Sequence, residues 1–430
     1  MSYLELLKNR LIYLSLKLEQ PEYEKKRLRQ SINDCWKAIY HSLGRNKAKP
    51  LDDDLFLGTH YLLYFLKPTE SAAATTSDPE SVTTAEFTLI YDRRLIRKRD
   101  HYTQLLQEIF VQKRVKPNDK SSKLDLSDIY DYVKSLQVAV DSWYSIFNPE
   151  TILPSSLSGT WLDKLERIGN RPFLPLILSV MLKVDKEAER VQIFKALERH
   201  IFALGMLGNS YYNSDYYNGF LQEAVLLYHG KISARQVTTK ITEATSMIVE
   251  NPRFLVEARA SFRQKGYYNW PYIRYFLYEY NLDLQEKSKT DRRKLYWSEL
   301  NDKTSDYATV EHIYPQTARG SYWTNNFSGF TAKQRDYLKN SLGNLVPLSQ
   351  PKNSSLSNRP FPEKVEGKKE AVVGFRFGCY AENEVAKEPE WNPECIKARG
   401  IKLLAFMEKR WGLRLGTETE KIEMLNLDFL

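Results

Sequence analysis

The sequence predicts a mainly α-helical protein with one small strand–strand–helix element near its C-terminal end. Apolar residues recur at helical spacing over much of the chain up to about residue 284. Two short runs with high β propensity follow, at residues 307–310 and 345–348, beside turn-forming residues. Hydrophobic residues make up 42% and charged residues 27% of the 430 positions, which is typical of folded domains and excludes general disorder.

The chain is predicted to open with helices. A first amphipathic helix follows from the spacing of Leu4, Leu7, Leu11, Leu14 and Leu18. A second helix, over residues 26–43, is predicted to end near Gly44 and to carry one apolar face. Three acids then precede the apolar stretch 55–66, and we interpret them as first-turn residues that complement a helix dipole rather than as a metal site. The apolar face of the second helix consists of Ile32, Trp36, Ile39 and Tyr40. The three acids are Asp52, Asp53 and Asp54.

The middle of the chain divides into a linker and a helical region. Residues 67–85 are poor in large apolar residues and rich in Ser, Thr and Ala, which is typical of a linker or mobile loop. We therefore predict a helical segment at 1–66, a linker at 67–86, an all-α domain at 87–290 and a C-terminal domain at 291–430. Two apolar stripes illustrate the helical periodicity: Tyr130, Val133, Leu136, Val140 and Trp143, and Ile273, Phe276, Leu277 and Tyr280.

The charge balance favours an acidic partner, with nucleic acid as the first candidate. The formal net charge is +9, and lysine and arginine gain affinity for nucleic acids by releasing phosphate counterions. Two basic clusters stand out. We interpret the first as a solvated face and the second as a candidate DNA contact. They are Arg93, Arg94, Arg97, Lys98 and Arg99, and Lys287, Lys289, Arg292, Arg293 and Lys294.

Cysteine usage and hydropathy predict a cytoplasmic protein with no membrane partner. The three cysteines are scattered, and no CxxC pair indicates zinc. The N-terminal segment interrupts its apolar residues with charges, unlike a signal peptide. The most apolar run, residues 173–182, has ten residues, whereas a membrane span needs about 20.

One segment carries residues suited to phosphodiester hydrolysis. Glu311 and His312 fall at the end of the first predicted strand, and Asn344 lies in a Gly-Asn turn before the second. Asn353 falls in or near the first turn of the helix that follows. A histidine can deprotonate water near neutral pH. Oxygen atoms of Glu311 and Asn353 would suit Mg²⁺ (or Mn²⁺) better than zinc, and Asn344 could tie the loop to the strand that carries His312.

These motifs resemble the HNH endonuclease superfamily, which implies a ββα-metal fold. The segment Glu311-His312-Ile-x-Pro315 is followed by Gly343-Asn344-Leu345, and Asn353 comes nine residues after Asn344. In that superfamily the acid and the final Asn hold the metal, the His is the general base, and the middle Asn buttresses it. The resemblance assigns these roles to Glu311, Asn353, His312 and Asn344.

The segment is most similar to the C-terminal nuclease domain of GmrSD-type restriction endonucleases. That group carries EHIxPQ, a Trp shortly afterwards, LGNL and an N…N…F…K tail. The helical region at 162–183 also resembles the part preceding this domain, so the similarity covers about two-thirds of the chain. The matching positions are Glu311 to Gln316, Trp323, Leu342 to Leu345, Asn353, Asn358, Phe361 and Lys364, then Trp391, Ile396, Arg399, Leu403 and Trp411.

GmrSD members usually begin with a ParB-like nucleotide-binding domain that is marked by a DGQQR-like sequence. This chain carries no such motif and no P-loop, and residues 3–15 and 32–44 resemble the last helices of that domain. The resemblance therefore implies that the NTPase half was removed or is supplied by a separate ParB-like subunit.

The sequence thus predicts a metal-dependent HNH endonuclease that nicks or cleaves foreign or phage DNA in bacterial restriction. A non-catalytic DNA-binding or docking subunit of a defence complex is the alternative, and an RNA-cutting toxin would share the chemistry. Asn358 and Lys364 are further candidates for metal or phosphate, although a surface position is the default for Lys364. Trp323, Trp391 and Trp411 are interpreted as core residues. The other five histidines are interpreted as structural; they are His41, His60, His101, His200 and His229.

Overall fold

The computed structural model describes residues 2–45, 50–70, 87–88, 104–116, 123–152, 156–208, 219–301, 309–348, 350–368 and 372–430. Helices dominate these residues and the strands are short, so the predicted mainly α-helical class is confirmed. The chain divides into two compact units, which are Met1–Leu197 with Asp215–Thr242, and Glu198–Ser214 with Glu243–Leu430. The domain limits predicted at residues 66, 86 and 290 differ from these boundaries and stay predictions.

The first unit is a helical assembly whose described residues include a pair of two-residue strands. The strands β1 (Thr69–Glu70) and β2 (Phe87–Thr88) pair antiparallel. Helices α7 and α9 begin in this unit and continue into the second. Its helices are α1 (Tyr3–Lys17), α2 (Glu22–Gly44), α3 (Asp53–Phe65), α4 (Leu126–Phe147), α5 (Leu157–Ile168), α6 (Leu174–Lys183), α7 (Glu187–Met206), α8 (Leu221–Tyr228) and α9 (Ala234–Val249), with a π-turn at Leu105–Ile109 and 3₁₀ turns at Gln112–Arg114, Pro149–Thr151 and Arg171–Phe173.

The described residues of the second unit combine helices with two two-stranded sheets. Strand β3 (Thr309–His312) pairs antiparallel with β4 (Leu345–Leu348), and β5 (Gly367–Lys368) with β6 (Val372–Val373). Its helices are α10 (Arg253–Lys265), α11 (Ile273–Lys287), α12 (Trp297–Asn301), α13 (Ser321–Phe327), α14 (Ala332–Asn340), α15 (Gln350–Leu356), α16 (Phe361–Glu366), α17 (Tyr380–Val385), α18 (Pro393–Trp411) and α19 (Glu418–Met424), with 3₁₀ turns at Leu342–Asn344 and Phe375–Phe377.

The opening helices follow the predicted pattern with one correction. All five leucines of the first stripe are buried, and the second helix ends at Gly44. Tyr40 was predicted on the apolar face of α2, but it is 41% exposed because its hydroxyl donates a hydrogen bond to Glu5 at the surface. Asp52 caps α3 by accepting a hydrogen bond from the Leu55 amide, as its interpretation as a first-turn acid requires.

The two apolar stripes of the middle region are buried, again with one correction. In α4 the residues Val133, Leu136, Val140 and Trp143 lie in the core, whereas Tyr130 is half-buried because Tyr132 takes the core-facing position beside it. The stripe of α11 is fully buried. Most of the predicted linker at 67–86 and all of the first basic cluster lie outside the described residues.

The core of the second unit is built around the end of α18. The indole of Trp411 stacks on Phe202 with ring centroids 3.6 Å apart, and its Nε1 donates to Glu198 at 2.8 Å. Arg410 bridges two buried carboxylates, Glu198 at 3.1 Å and Glu279 at 2.8 Å. These contacts join α7, α11 and α18, and α11 also packs against β4. Among the described residues, no helix has the length and apolarity to cross a membrane.

Candidate active site

Strands β3 and β4 and helix α15 follow one another in the order that the sequence predicts. In the antiparallel pair, His312 lies opposite Leu345 and Glu311 opposite Val346. Helix α15 begins two residues after β4 and packs against β3. The predicted strand residues Thr309 and Val310 belong to β3, whereas Tyr307 lies outside the described residues. Glu311 and His312 therefore end their strand, as expected.

Asn344 joins the two strands through four hydrogen bonds of a buried amide. Its Oδ1 accepts from the Tyr314 amide at 2.8 Å and from Trp391 Nε1 at 3.1 Å. Its Nδ2 donates to the carbonyl of Tyr314 at 3.0 Å and to that of Lys339 at 2.9 Å. The side chain is fully buried and saturates its hydrogen-bonding capacity. Asn344 thus holds the backbone two residues beyond His312, which is the position expected of a buttress.

The turn that carries Asn344 is held from behind by α18. A Cβ on Gly343 would collide with the Ile396 carbonyl, so only glycine allows this turn to approach the helix. The buried Arg399 donates from Nη1 to the carbonyls of Gly343 at 2.7 Å and Leu345 at 2.8 Å. The turn at Leu342–Asn344 is therefore held against α18, and with it the position of Asn344.

His312 is 5% exposed and is surrounded by polar and aromatic side chains. The amide nitrogen of Gln316 lies 3.4 Å from its Nε2, and the Tyr268 ring lies 4.4 Å from the imidazole, centroid to centroid. Burial lowers the pKa of His312 to about 4; a hydrogen bond with the Asn340 side chain opposes this shift, and the charges of Lys364 and Lys339 reinforce it. The imidazole is therefore neutral near pH 7.

Glu311 forms a buried ion pair with Lys364. The ammonium lies 2.6 Å from Oε1 of the carboxylate and 3.4 Å from the His312 carbonyl. Burial raises the pKa of Glu311 and lowers that of Lys364, and the attraction within the pair opposes both shifts. The default surface position for Lys364 is wrong: the side chain is fully buried because α16 points it at β3, where Glu311 compensates its charge.

Asn353 lies in the first turn of α15, as predicted, and is half-buried. Its neighbour Lys352 forms an ion pair with the buried Glu382 of α17. The other oxygen of Glu382 accepts from the Cys379 amide at 2.8 Å, which closes the capping box of α17. Asn358 is half-buried just after α15, and its carbonyl accepts from Trp323 Nε1 at 3.2 Å.

The donor chemistry near Glu311 fits one divalent cation of the magnesium type. Glu311 and Asn353 offer carboxylate and amide oxygens, and Mg²⁺ is commonly held by one or two such groups, with waters and phosphate completing its shell. In the described part of the chain, no group of three or more His, Cys, Asp or Glu residues is arranged to hold a metal. The assignment of Glu311 and Asn353 as metal ligands stays a prediction.

Several residues around His312 were not found by sequence reasoning. Tyr268 lies 44 positions before His312, and Lys339 and Asn340 belong to α14. No local pattern marks them, because the chain brings them together only when the Tyr267 amide donates to the Asn340 carbonyl at 3.0 Å. Gln316 carried a signal, since it ends the EHIxPQ motif.

The second basic cluster is exposed and lies at and just after the end of α11. Lys287 pairs with Asp283 at 2.5 Å, and Lys294 donates to Asn383 at 2.8 Å. The side chains are thus accessible to solvent, and their role as a DNA contact stays a prediction.

Three of the five histidines interpreted as structural, His60, His200 and His229, form hydrogen bonds within the described residues. His60 and His200 are buried, and their rings bond to Ser135 and Thr245 respectively, each at 3.1 Å. His229 bonds to the Leu66 carbonyl at 3.0 Å, His41 is exposed, and His101 lies outside the described residues. Trp323, Trp391 and Trp411 are buried, as predicted.

The fold and site define a helical protein whose strand–strand–helix element carries an adjacent acid and histidine buttressed by a buried asparagine. Residues 255–406 match the family of GmrSD restriction endonucleases, C-terminal domain, and this range contains all the site residues described above. Residues 255–406 are therefore similar to the GmrSD C-terminal domain, which confirms the resemblance to that group for this segment. Residues 162–183 lie outside the match, so their similarity stays a prediction. No curated protein and no solved structure matches the chain.

Proposed function

We propose that this chain is a metal-dependent HNH endonuclease that hydrolyses DNA phosphodiester bonds in bacterial restriction of foreign or phage DNA. The family match supports a nuclease of phage defence. The observation that carries the finer proposal is the Glu311–His312 pair at the end of β3, facing β4, with Asn344 holding the loop beyond it. This arrangement combines a neutral base with a hard oxygen ligand on adjacent residues.

His312 is the proposed general base. Its imidazole is neutral, so it can take a proton from water as the water attacks phosphorus. Burial disfavours the imidazolium in the free protein, but a phosphate beside the ring would add negative charge and favour the protonated form. Asn344 acts as a positioning residue because it fixes the backbone of Tyr314, and with it the direction of the loop that leaves His312.

Glu311 and Asn353 are the residues that would hold Mg²⁺ or Mn²⁺. The chemistry that such a cation supplies is neutralisation of charge on the scissile phosphate and on the departing oxygen. Lys364 keeps the Glu311 carboxylate in place through the ion pair at 2.6 Å. Asn358 and the exposed basic cluster at 287–294 are proposed as secondary contacts to phosphate, and a separate ParB-like NTPase subunit is a proposed partner.

Plasmid cleavage tests this function. Purified protein is incubated with supercoiled DNA and Mg²⁺ or Mn²⁺, beside His312→Ala and the control His41→Ala, which alters an exposed histidine. We expect metal-dependent nicking or linearisation that falls by about 10²- to 10⁴-fold in His312→Ala and is unchanged in His41→Ala.

If wild type and His312→Ala are equally inert, the assay is repeated with modified phage DNA and with an NTPase partner. Continued inactivity with DNA binding retained would overturn the proposal in favour of a non-catalytic DNA-binding subunit. Cleavage of RNA but not DNA would change the substrate and keep the chemistry.

A further inference from the structure

Lys339 lies beside the loop that leaves His312, and its backbone is rigidly held there. Its carbonyl accepts a hydrogen bond from Asn344 Nδ2 at 2.9 Å, and the same nitrogen donates to the Tyr314 carbonyl at 3.0 Å. The next residue, Asn340, accepts at its carbonyl from the amide of Tyr267, the residue before Tyr268, at 3.0 Å. The end of α14 is thus attached to the candidate active site by two consecutive residues.

The ammonium of Lys339 has positive charge available for a ligand. It is half-buried and lies 5.7 Å from the Tyr314 ring centroid. Within the described ranges, no carboxylate lies within ion-pair distance of it; the charge of Asp336 acts on it from further away, and that carboxylate accepts from Asn340. The other two lysines near the site differ, because Lys364 pairs with Glu311 and Lys352 with Glu382. A partly desolvated cation without a carboxylate partner is suited to a phosphate.

Tyr268 places an aromatic surface beside His312. Its ring lies 4.4 Å from the imidazole, centroid to centroid, and the side chain is 38% exposed. The loop that carries it is set by Gly266, which ends α10 with φ of +67°, and by the Tyr267 amide, which donates to the Asn340 carbonyl at 3.0 Å. Nucleic-acid bases stack on exposed aromatic rings regardless of base sequence.

We propose that Lys339 and Tyr268 form a strand-binding edge next to His312. Lys339 binds a backbone phosphate of a DNA strand, and Tyr268 packs against the adjacent nucleotide. Lys339 directly precedes Asn340, and the amide of Tyr267, the residue before Tyr268, donates to the Asn340 carbonyl. These links fix the distance between the phosphate contact at Lys339 and His312. This inference rests on the proposed function, since it names how the same site holds its substrate.

DNA binding by the full chain tests the edge independently of cleavage. A fluorescein-labelled duplex is titrated in EDTA at several salt concentrations, and anisotropy reports binding. We expect Lys339→Gln and Lys339→Met to weaken affinity by about tenfold and to reduce the slope of log K against log salt by about one. Tyr268→Ala should weaken binding by a similar factor, whereas Tyr268→Phe, which keeps the ring, should bind like wild type.

Lys333→Gln is the matched control, because Lys333 is an exposed lysine on the same helix. Circular dichroism shows which variants are folded. A binding result from either folded variant, Lys339→Gln or Lys339→Met, is sufficient to test the role of Lys339. Wild-type affinity and salt slope in Lys339→Gln and Tyr268→Ala would overturn the edge even if the protein cleaves plasmid. An equal loss in Lys333→Gln would also overturn it. Binding that depends on both residues, in a protein that never cleaves with any divalent metal, would retain the edge and reject the nuclease.

Discussion

The residues of the site are stabilised by compensation of buried charge. Lys364 and Glu311 are both removed from water, and each would be costly to bury alone. Together they form an ion pair with 2.6 Å between Nζ and Oε1, and the ammonium also lies 3.4 Å from the His312 carbonyl. The lysine therefore stabilises the end of β3, and removing it would leave an uncompensated carboxylate.

We expect Lys364→Met to lower the free energy of unfolding by about 3–5 kcal/mol, because one charge of a buried pair is left unpaired. Urea denaturation followed by tryptophan fluorescence measures this loss. The double variant Glu311→Gln, Lys364→Met should be closer to wild type. Lys287→Met serves as control, since it removes an exposed pair with Asp283 and should cost less than about 1 kcal/mol. An equal loss of unfolding free energy in Lys364→Met and Lys287→Met would contradict the prediction.

At the scale of elements, α15 is a short helix whose position depends on its contacts. It packs against β3 and carries Asn353 in its first turn. A seven-residue helix has little stability of its own, so the ion pair between Lys352 and Glu382 anchors it to α17. Glu382 is held in turn by the Cys379 amide, and α17 packs on β4. The ion pair of Lys352 with Glu382 therefore helps to fix the position of Asn353.

If Glu311 and Asn353 hold Mn²⁺, then Lys352→Met should weaken Mn²⁺ binding and slow cleavage by about 10- to 100-fold, as supporting residues of metal sites typically do. Titration of Mn²⁺ followed by electron paramagnetic resonance measures the affinity directly. Lys352→Arg keeps the charge and should recover most of the loss. The control Glu394→Gln breaks the exposed pair with Lys397 on α18 and should leave Mn²⁺ affinity unchanged. Unchanged Mn²⁺ affinity in Lys352→Met would show that α15 does not need this anchor.

At the scale of the whole molecule, each compact unit contains a buried neutral histidine. His60 belongs to the first unit and His200 to the second. Burial lowers the pKa of His60 from 6.5 to about 3 and that of His200 to about 4. In the unfolded chain these two histidines take up protons below about pH 6.5, whereas in the native protein they do not until about pH 4 or lower. The stability contributed by each neutral histidine is therefore fully present above pH 6.5 and is lost as the pH falls towards the folded pKa.

We expect each histidine to reduce the free energy of unfolding by about 2 kcal/mol between pH 7 and pH 5. Urea denaturation at both pH values measures the difference. His60→Gln and His200→Gln should each have a weaker pH dependence than wild type, whatever their stability at pH 7. His41→Gln, at an exposed position, should keep the wild-type dependence. A wild-type dependence in His60→Gln and His200→Gln would mean that other groups control the acid sensitivity.

Local pattern predicted much of the fold and part of the site. Helical periodicity located α1, α2, α4 and α11, because an apolar stripe reports directly which face of a helix is buried. The pattern was wrong for Tyr40, since a hydroxyl at the surface can keep an aromatic ring out of the core. It did not indicate β1, β2, β5 or β6, because two-residue strands carry no periodicity.

By itself, the sequence determined the helical class, the order β3–β4–α15 and the family of residues 255–406, because periodicity and motif spacing are local properties of the chain. Tertiary structure alone decided the environment of the site residues. Lys364 is buried because Glu311 compensates it from 53 positions away, and Tyr268 reaches His312 because Gly266 and Asn340 direct its loop. Charge compensation and packing between distant segments produce no recognisable residue spacing in the sequence, so these contacts are seen only in the folded chain.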